Sequence, residues 1–414
     1  MRPLTGTLCL LVATLMATPV TAQEANSPAP DAAPVTSSTV SSSSTATTEP
    51  SPASSSPDVG YKKGFFIQSS DGLYKLKING RVQARYELEL PDGGGHDSEF
   101  SIPRARVKMG GHAFTKALGY KLQLDFGKGF AGLKDFYVDF ALASNWLSVR
   151  AGQFKKPFSR HQLTSSGKQP LVDRAITDKA FGAGRDIGLM FHNGFGKKNA
   201  LEFAVGVFNG TGDKGTFSGD VEGTADADGN VTGSASGKFS NLPGLFNPAL
   251  VMRVGYNFGE LKGYSGGDFE GGGFRLGLGA NAMLNFDAEA GDNGRIDVGF
   301  DAIMKAGGFA LATELFMRTE QDGEAFGDQS LSKMGLYAQA SFVLGDHFLP
   351  IVRYERVMPE GDNNDAQVIT GGFGVFFFGH NLKLQTELSL LDEETDTGDI
   401  SRDLRVRTQL QLAF

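Results

Sequence analysis

The chain has 414 residues, a formal net charge of −8 and a single cysteine, Cys9. Because Cys9 lies within an amino-terminal segment that is expected to be removed, the mature chain can have neither a disulfide nor thiol chemistry. Taken over the whole chain, the excess of acidic residues argues against anion binding unless the charges are unevenly placed.

The first 60 residues divide into two segments. Residues 1–22 contain Arg2, an apolar run and the small residues Val20 and Ala22, which is the pattern of a secretory signal peptide cleaved after Ala22. A transmembrane anchor is the alternative, but the apolar run is too short for one. Residues 23–60 are rich in Ser, Thr, Pro and Ala and lack aromatic residues, so we expect a disordered linker.

From Tyr61 onward, apolar and polar residues alternate with a period of two, which indicates strands. In the last segment, Leu410, Leu412 and Phe414 share one face of the strand, and Gln411 lies on the other. The pattern predicts sixteen strands, near 74–88, 98–110, 119–127, 133–142, 146–154, 185–193, 199–208, 249–258, 273–286, 294–306, 308–320, 333–344, 348–358, 366–378, 381–391 and 403–414.

The connections between these segments alternate in length. Taking the amino-terminal end as periplasmic, one set is compact, whereas the opposite set includes 155–184, 209–248 and 391–402. The Gly-rich connection 259–272 departs from this rule, because it is long although it belongs to the compact set.

An even number of strands with this arrangement predicts an all-β fold in which 61–414 forms a transmembrane 16-stranded antiparallel β-barrel. The barrel would have short periplasmic turns and long extracellular loops, in the outer membrane of a Gram-negative bacterium. A soluble β-sandwich also alternates, but its strands are usually shorter, and only a closed barrel leaves no unpaired backbone in lipid.

The polar faces of the strands are unevenly charged. The strand assignment places seventeen basic and ten acidic residues on the lumen face, although 61–414 carries a net charge of −5. In SIPRARVKMGG, the side chains of Arg104, Arg106 and Lys108 follow at a spacing of two, about 7 Å apart along a strand. A face of this kind, enclosed by walls of low dielectric, focuses a positive potential on the pore.

The loop expected to be the third extracellular one is also basic. Lys155–Arg185 carries seven basic residues and two acids, Asp173 and Asp178. A wide barrel needs something to narrow it, so we expect 155–184 to fold into the lumen as a constriction loop. The alternative is a loop that lies over the outer surface. Arginines here could bind phosphate oxygens bidentately, with lysines acting as point charges.

Five stretches between Gly64 and Phe414, in the order FSIPRARVKMGGHAF, YKLQLDF, VRAGQFKKPFSRHQLTSS, GRDIGLMF and VFNGTG, resemble the phosphate-selective porin O and P family. The resemblance implies a trimeric sixteen-stranded barrel that passes anions, in some members phosphate or polyphosphate, through a basic infolded third loop and lumen arginines. The basic positions that it carries over are Arg104, Arg106, Lys155, Lys156 and Arg160.

The sequence therefore predicts an anion-selective porin, and a general or sugar-type diffusion porin is the alternative. The expected pore residues are Arg81, Arg85, Arg104, Arg106, Lys108, Lys121, Lys155, Lys156, Arg160, Lys168, Arg174 and Arg185. The expected partners are phosphate, polyphosphate and chloride, outer-membrane lipid and lipopolysaccharide, and two further copies of the chain, without nucleic acid.

No cofactor, metal or enzymatic activity is expected. GYSGG (263–267) fits the G-x-S-x-G pattern of a nucleophile elbow, but it lies in a Gly-rich connection and not in a strand-to-helix turn. GLGANA (277–282) lies inside an alternating strand with no helix after it, so it does not indicate a dinucleotide site.

Overall fold

The computed structural model describes residues 56–129, 131–143, 146–196, 199–210, 212, 216–225, 231–240, 246–261, 263–286, 294–321, 329–359, 364–394 and 398–414. The predicted signal peptide (1–22) and residues 23–55 of the predicted linker lie outside the described residues. The described end of that linker includes the start of the first strand, at Asp58.

The described chain is built almost entirely of strands. In chain order they are β1 Asp58–Tyr61, β2 Phe65–Gln68, β3 Lys75–Leu90, β4 Asp97–Ala113, β5 Thr115–Asp125, β6 Gly132–Ala143, β7 Leu147–Lys155, β8 Arg185–His192, β9 Leu201–Phe208, β10 Thr216–Ala225, β11 Val231–Ser240, β12 Ala249–Phe258, β13 Arg275–Asn285, β14 Arg295–Ala306, β15 Phe309–Gln321, β16 Gln329–Phe342, β17 Phe348–Pro359, β18 Ala366–His380, β19 Leu382–Glu394 and β20 Ile400–Ala413. The short helices are α1 Arg160–Leu163 and α2 Ile176–Phe181, with 3₁₀ turns at Gly127–Gly129 and Ser166–Lys168.

The long strands close into one barrel. Strands β3 to β9 and β12 to β20 pair antiparallel in chain order, β9 pairs with β12, and β20 pairs with β3. The hairpin β10–β11 is a separate two-stranded sheet. The sixteen barrel strands confirm the predicted fold class, and each lies within a few residues of its predicted position because the period of two fixes which segments can cross a bilayer.

The two faces of each strand differ as the alternation predicts. Along β12, Val254, Tyr256 and Phe258 are exposed on the outside, whereas Arg253 and Asn257 are buried on the inside. An apolar exterior and a polar interior are the arrangement that lipid outside and water inside demand. Among the described residues, no helix has both the length and the apolar character needed to cross a membrane.

The barrel seam is closed by the chain end. The backbone N–H groups of Gly80 and Phe414 each donate to the other's carbonyl oxygen at 3.0 Å. The Phe414 ring lies where a side chain at position 80 would be, since a Cβ added to Gly80 would be 2.3 Å from the ring Cζ atom. Beyond this point, β2 pairs with Lys75–Ile78 of β3, and the Phe65 ring meets the Phe414 ring edge-on at 6.4 Å. The terminal phenylalanine is therefore a packed part of the seam.

Candidate functional site

The chain between β7 and β8, residues 156–184, lies inside the barrel and is called the infolded loop. It contains α1 and α2, and Ser159 caps α1 by accepting a hydrogen bond from the Gln162 N–H at 3.0 Å. Its backbone and side chains contact inward-facing residues of β3, β13, β15, β17, β19 and β20. These contacts place the described residues of the loop within the barrel.

Aromatic packing fixes the loop against one side of the barrel. The Phe181 ring stacks on the Phe316 ring of β15 at a centroid distance of 5.2 Å, and the Phe158 ring stacks on Phe316 at 6.0 Å. All three side chains are at most 2% exposed. Strands β13 to β20, against which the loop packs, are called the docking wall.

Arg160 is held by the docking wall. Its Nε atom donates to Asp301 Oδ1 at 2.5 Å, and Arg253 Nη1 donates to Asp301 Oδ2 at 2.6 Å. Burial lowers the pKa of Arg160, but the Asp301 carboxylate outweighs it and the pKa lies above its ordinary value. The guanidinium also lies over the Tyr264 ring at 4.6 Å. Arg160 therefore balances a buried carboxylate and is not directed at an open passage.

Residues 259–261 and 263–274, between β12 and β13, form a second inward feature, called the Gly-rich segment. Leu261 is 3% exposed and packs with Ile303 and Ala312 of the barrel interior. A Cβ added to Gly266 would lie 2.9 Å from Pro170 Cδ, so the segment touches the infolded loop. The sequence marked this connection as exceptional only in length, and its inward position was not predicted.

Asp173 ties the infolded loop to the seam side of the barrel. Its carboxylate lies 2.8 Å from both Arg85 Nη1 and Arg104 Nη2, and 3.4 Å from Arg407 Nη1. Burial raises the pKa of Asp173, but the three guanidinium groups overcome it and hold the pKa well below the usual range. Arg85 and Arg104, both predicted pore residues, thus anchor a loop carboxylate.

A cavity of about 320 Å³ remains between the infolded loop and strands β4 to β8, and it is called the basic cavity. Seven of its lining residues are lysine or arginine and one is a carboxylate, Asp135. The seven are Arg106, Lys108, Lys121, Arg150, Lys155, Lys168 and Arg185. Asp135 is bound by Lys121 Nζ at 2.6 Å and by Arg185 Nε at 2.7 Å, so its charge is already balanced.

The cations of the basic cavity differ in how firmly they are held. Arg106 Nε donates to Asp125 Oδ2 at 2.6 Å, and Lys155 Nζ donates to the Leu163 and Thr164 carbonyl oxygens at 3.3 Å. Within the described part of the chain, Lys108 and Lys168 have no hydrogen-bond or ion-pair partner. These two ammonium groups are therefore available to an anion in the cavity.

Aromatic and imidazole groups complete the lining. The Arg150 guanidinium lies 4.2 Å from the Tyr137 ring centroid, and its Nε atom donates to Asp139 at 3.1 Å. His192 lies 3.1 Å from Asp139 through Nε2 and accepts from the Gly194 N–H at 2.9 Å through Nδ1. Arg150 was placed on the lumen face by the alternation but was not among the predicted pore residues.

The twelve predicted pore residues thus separate into two sets. Six line the basic cavity: Arg106, Lys108, Lys121, Lys155, Lys168 and Arg185. The other six hold the infolded loop or its base, by contacts with Ser166, Asp173, Asp186, Asp301 and loop carbonyl groups: Arg81, Arg85, Arg104, Lys156, Arg160 and Arg174. The alternation and the loop composition identified these basic residues. They did not distinguish the side chains that line the cavity from those that bind the loop.

The two motifs of enzymatic type have no catalytic setting. Ser265 lies in the Gly-rich segment, and its hydroxyl donates to the Gly267 carbonyl at 3.4 Å, without a strand-to-helix turn. Gly277 and Gly279 lie within β13. Among the described residues, no group of three or more His, Cys, Asp or Glu side chains could hold a metal ion.

Comparisons with known proteins agree with the fold. The profile of the family described as "Phosphate-selective porin O and P" matches residues 76–414. An anion-selective porin from Comamonas acidovorans superposes with a TM-score of 0.54 at 14% identity, covering 82% of this chain and 99% of that chain. The outer membrane channel DcaP of Acinetobacter baumannii gives 0.53 at 13% identity, covering 82% and 97%.

OmpF from Salmonella typhi, in complex with daunomycin, gives a TM-score of 0.52 at 14% identity, covering 86% of this chain and all of that chain. Identities this low support the shared barrel fold and not a shared solute. No curated protein sequence matches the chain. The family and the fold are those of a channel and not of an enzyme.

Proposed function

Because the chain belongs to the phosphate-selective porin O and P family, we propose that this outer-membrane porin is anion-selective and takes phosphate-type anions through the basic cavity. The observation that carries the proposal is the lining of the cavity, with seven lysine or arginine residues against one carboxylate that is itself paired. Charges on a concave wall of low dielectric reinforce one another and concentrate counter-ions there.

The cavity suits passage as well as binding. Lys108 and Lys168 can each offer an ammonium group without breaking an existing ion pair among the described residues. The guanidinium groups of Arg106 and Arg150 are already bound to carboxylates. They therefore orient a solute by hydrogen bonds more than they attract it by unbalanced charge. A solute that meets two free ammonium groups and several shared guanidinium groups is attracted but not trapped, which conduction requires.

Further parts of the proposal rest on the resemblance and on the sequence. We propose that phosphate, polyphosphate and chloride are the solutes, that the exterior meets lipid and lipopolysaccharide, and that the barrel assembles as a homotrimer. We also propose export by the segment 1–22 and a constricting role for 155–184. The infolded position of residues 156–184 supports the last point.

A general or sugar-type diffusion porin is the second candidate. The observation that favours it is the pairing of many lumen arginines with carboxylates, for example Arg253 with Asp301, Arg318 with Asp297 and Arg407 with Glu387. Paired charges attract an anion weakly, because the carboxylate cancels most of the field of the guanidinium at distances larger than their separation.

The reversal potential of the purified protein in a planar bilayer under a KCl gradient separates the two candidates. The proposal expects a potential that reports chloride preference and a chloride current that added phosphate blocks. A potential near zero, or one that reports potassium preference, contradicts the proposal and favours the general porin. Repeating the measurement in high salt is the control, since screening weakens a selectivity that arises from surface charge.

A further inference from the structure

Three glutamates of the docking wall share an arrangement that the proposed anion path does not use. Glu314, Glu355 and Glu387 lie on β15, β17 and β19, which are alternate strands of the barrel. Each is 1% exposed. A carboxylate buried to this extent needs partners for its oxygens, because an unpaired buried charge is strongly unfavourable.

Each of the three carboxylates accepts a backbone N–H of the infolded loop. Glu314 accepts from His161 at 2.5 Å, Glu387 accepts from Val172 at 2.8 Å, and Glu355 accepts from Ile176 at 2.5 Å. These three N–H groups are spread over sixteen residues of the loop, from 161 to 176. The wall therefore contacts the loop in α1, at the start of α2 and between the two helices.

The second oxygen of each carboxylate is also occupied. Glu355 Oε1 accepts from Arg353 Nε at 2.5 Å, and Glu387 Oε1 accepts from Arg407 Nε at 2.7 Å. Glu314 Oε2 accepts from the Ser159 hydroxyl at 2.6 Å. The arginine partners hold Glu355 and Glu387 in place, so their loop-facing oxygens have fixed positions, whereas both oxygens of Glu314 bind the infolded loop.

Basic residues of the same wall bind the loop carbonyl groups. Arg353 Nη1 donates to the Asp173 carbonyl at 3.0 Å, and Lys383 Nζ donates to the Gln169 carbonyl at 2.7 Å. The wall thus supplies acceptors for loop N–H groups and donors for loop carbonyl groups. Helices α1 and α2 are too short to satisfy the loop backbone by themselves, and the wall replaces the missing hydrogen bonds.

We propose that Glu314, Glu355 and Glu387 are positioning residues for ion selectivity. They hold the infolded loop against the docking wall, which leaves the basic cavity open between the loop and strands β4 to β8. The loop does contact β4 through Arg104 and Arg106, which bind Asp173 and Ser166. The inference rests on the proposed anion-selective function for its readout in selectivity. A carboxylate by itself repels an anion, but these three promote anion passage because they hold the loop.

Two explanations of these glutamates predict changes of opposite sign in anion selectivity for the same variant. If the glutamates acted only as lumen charges, the triple variant Glu314→Gln, Glu355→Gln, Glu387→Gln would raise anion selectivity, because negative charge leaves the lumen. If they position the loop, the same variant releases it, and selectivity and phosphate block fall. Glu202→Gln is the matched control: Glu202 is 1% exposed, and its carboxylate accepts from Gly196 and Tyr264, outside the infolded loop.

A chemical reporter measures the loop position independently of current. Ala175 is 1% exposed in the loop, and Cys9 is the only natural cysteine, so Ala175→Cys gives a buried thiol for maleimide labelling of the folded protein. The protein without the reporter gives the background, and heat-modified migration on gels shows that the barrel is folded. We expect labelling to be at least about tenfold faster in the triple variant than in the reporter protein, because local opening exposes the thiol.

Rapid labelling together with a reversal potential shifted toward zero supports the proposal. A thiol that stays protected in the folded triple variant overturns it, and so does rapid labelling with unchanged or increased anion selectivity. If the parent protein is not anion-selective, the proposed function fails. The labelling rate and the single-channel conductance then decide whether the glutamates hold the loop. If the triple variant does not fold, Glu355→Gln and Glu387→Gln are tested singly by the same criteria.

Discussion

Substitution of Lys108 tests the basic cavity most directly, because this lysine lines it and has no ion-pair partner among the described residues. Treated as a sphere, a cavity of about 320 Å³ has a radius of about 4 Å, so an anion at its centre lies close to the Lys108 ammonium group. Two unit charges at 4 Å interact by about 1 kcal/mol in water and about 4 kcal/mol near a protein surface. For a solvated divalent phosphate, Lys108→Gln is therefore expected to cost about 1 to 2 kcal/mol, or about five- to thirtyfold in Kd.

The assay is a titration of chloride current with phosphate in a planar bilayer, at low and at high KCl. Lys333→Gln is the control, because it removes the same charge from a lumen-facing position of β16 outside the basic cavity. A block that is unchanged in Lys108→Gln would refute the cavity as the phosphate site. An equal loss in both variants would also refute it, since the effect would then belong to the overall lumen charge. High salt is expected to shrink the difference between Lys108→Gln and the parent.

Three other outcomes are expected. Gly80→Ala places a Cβ against the Phe414 ring and is expected to lower the free energy of unfolding, measured in urea, by about 1 to 3 kcal/mol. Gly371→Ala is the control and is expected to have little effect, because no atom lies within 4 Å of its added Cβ. Replacement of 260–273 by a two-residue turn removes the Gly-rich segment from the lumen, and the single-channel conductance is expected to rise. An unchanged conductance would show that this segment does not obstruct the path. Burial holds the pKa of His161 well below its usual value, so the unfolded loop binds a proton that the docked loop does not. Docking therefore weakens as pH falls below about 6.5, by up to about 1.4 kcal/mol per pH unit. Because maleimide reacts with the thiolate, the labelling rate of the cysteine reporter is divided by that of a free cysteine at the same pH. This ratio is expected to rise on acidification in the reporter protein but not in its His161→Gln variant.

The barrel was predictable because its constraint is local. Lipid outside and water inside force each strand to alternate, and each strand shows that alternation in its own ten or so residues. The last strand follows the same rule, since Leu410 and Leu412 are exposed and Gln411 is buried, as the pattern predicts. The tight contact between Gly80 and Phe414 was not predictable, because it joins residues that are far apart in the sequence.

The infolded loop shows where such reasoning stops. Its basic composition indicated an inward position, but Asp173 meets Arg85, Arg104 and Arg407, which come from three different strands. Which partners a charged loop residue finds depends on the path of the loop through the lumen, and alternation does not encode that path. The Gly-rich segment did carry a usable signal. Leu261 and Phe269 are large apolar residues in a connection of turn-like composition, and such residues need a place to be buried.

The sum of the charges on the lumen face does not give the electrostatic potential that a solute meets. Glu314, Glu355 and Glu387 belong to that face, yet their oxygens are occupied by the infolded loop and by neighbouring donors. Arg353 and Lys383 belong to it as well, and they are equally occupied by loop carbonyl groups. Since charges of both signs on the docking wall bind the loop, the proposed anion path runs along the opposite side, where Lys108 has no partner among the described residues. Under the proposed function, a chain with a net negative charge encloses a positive passage, because contacts with the loop determine which lumen charges remain available to a solute.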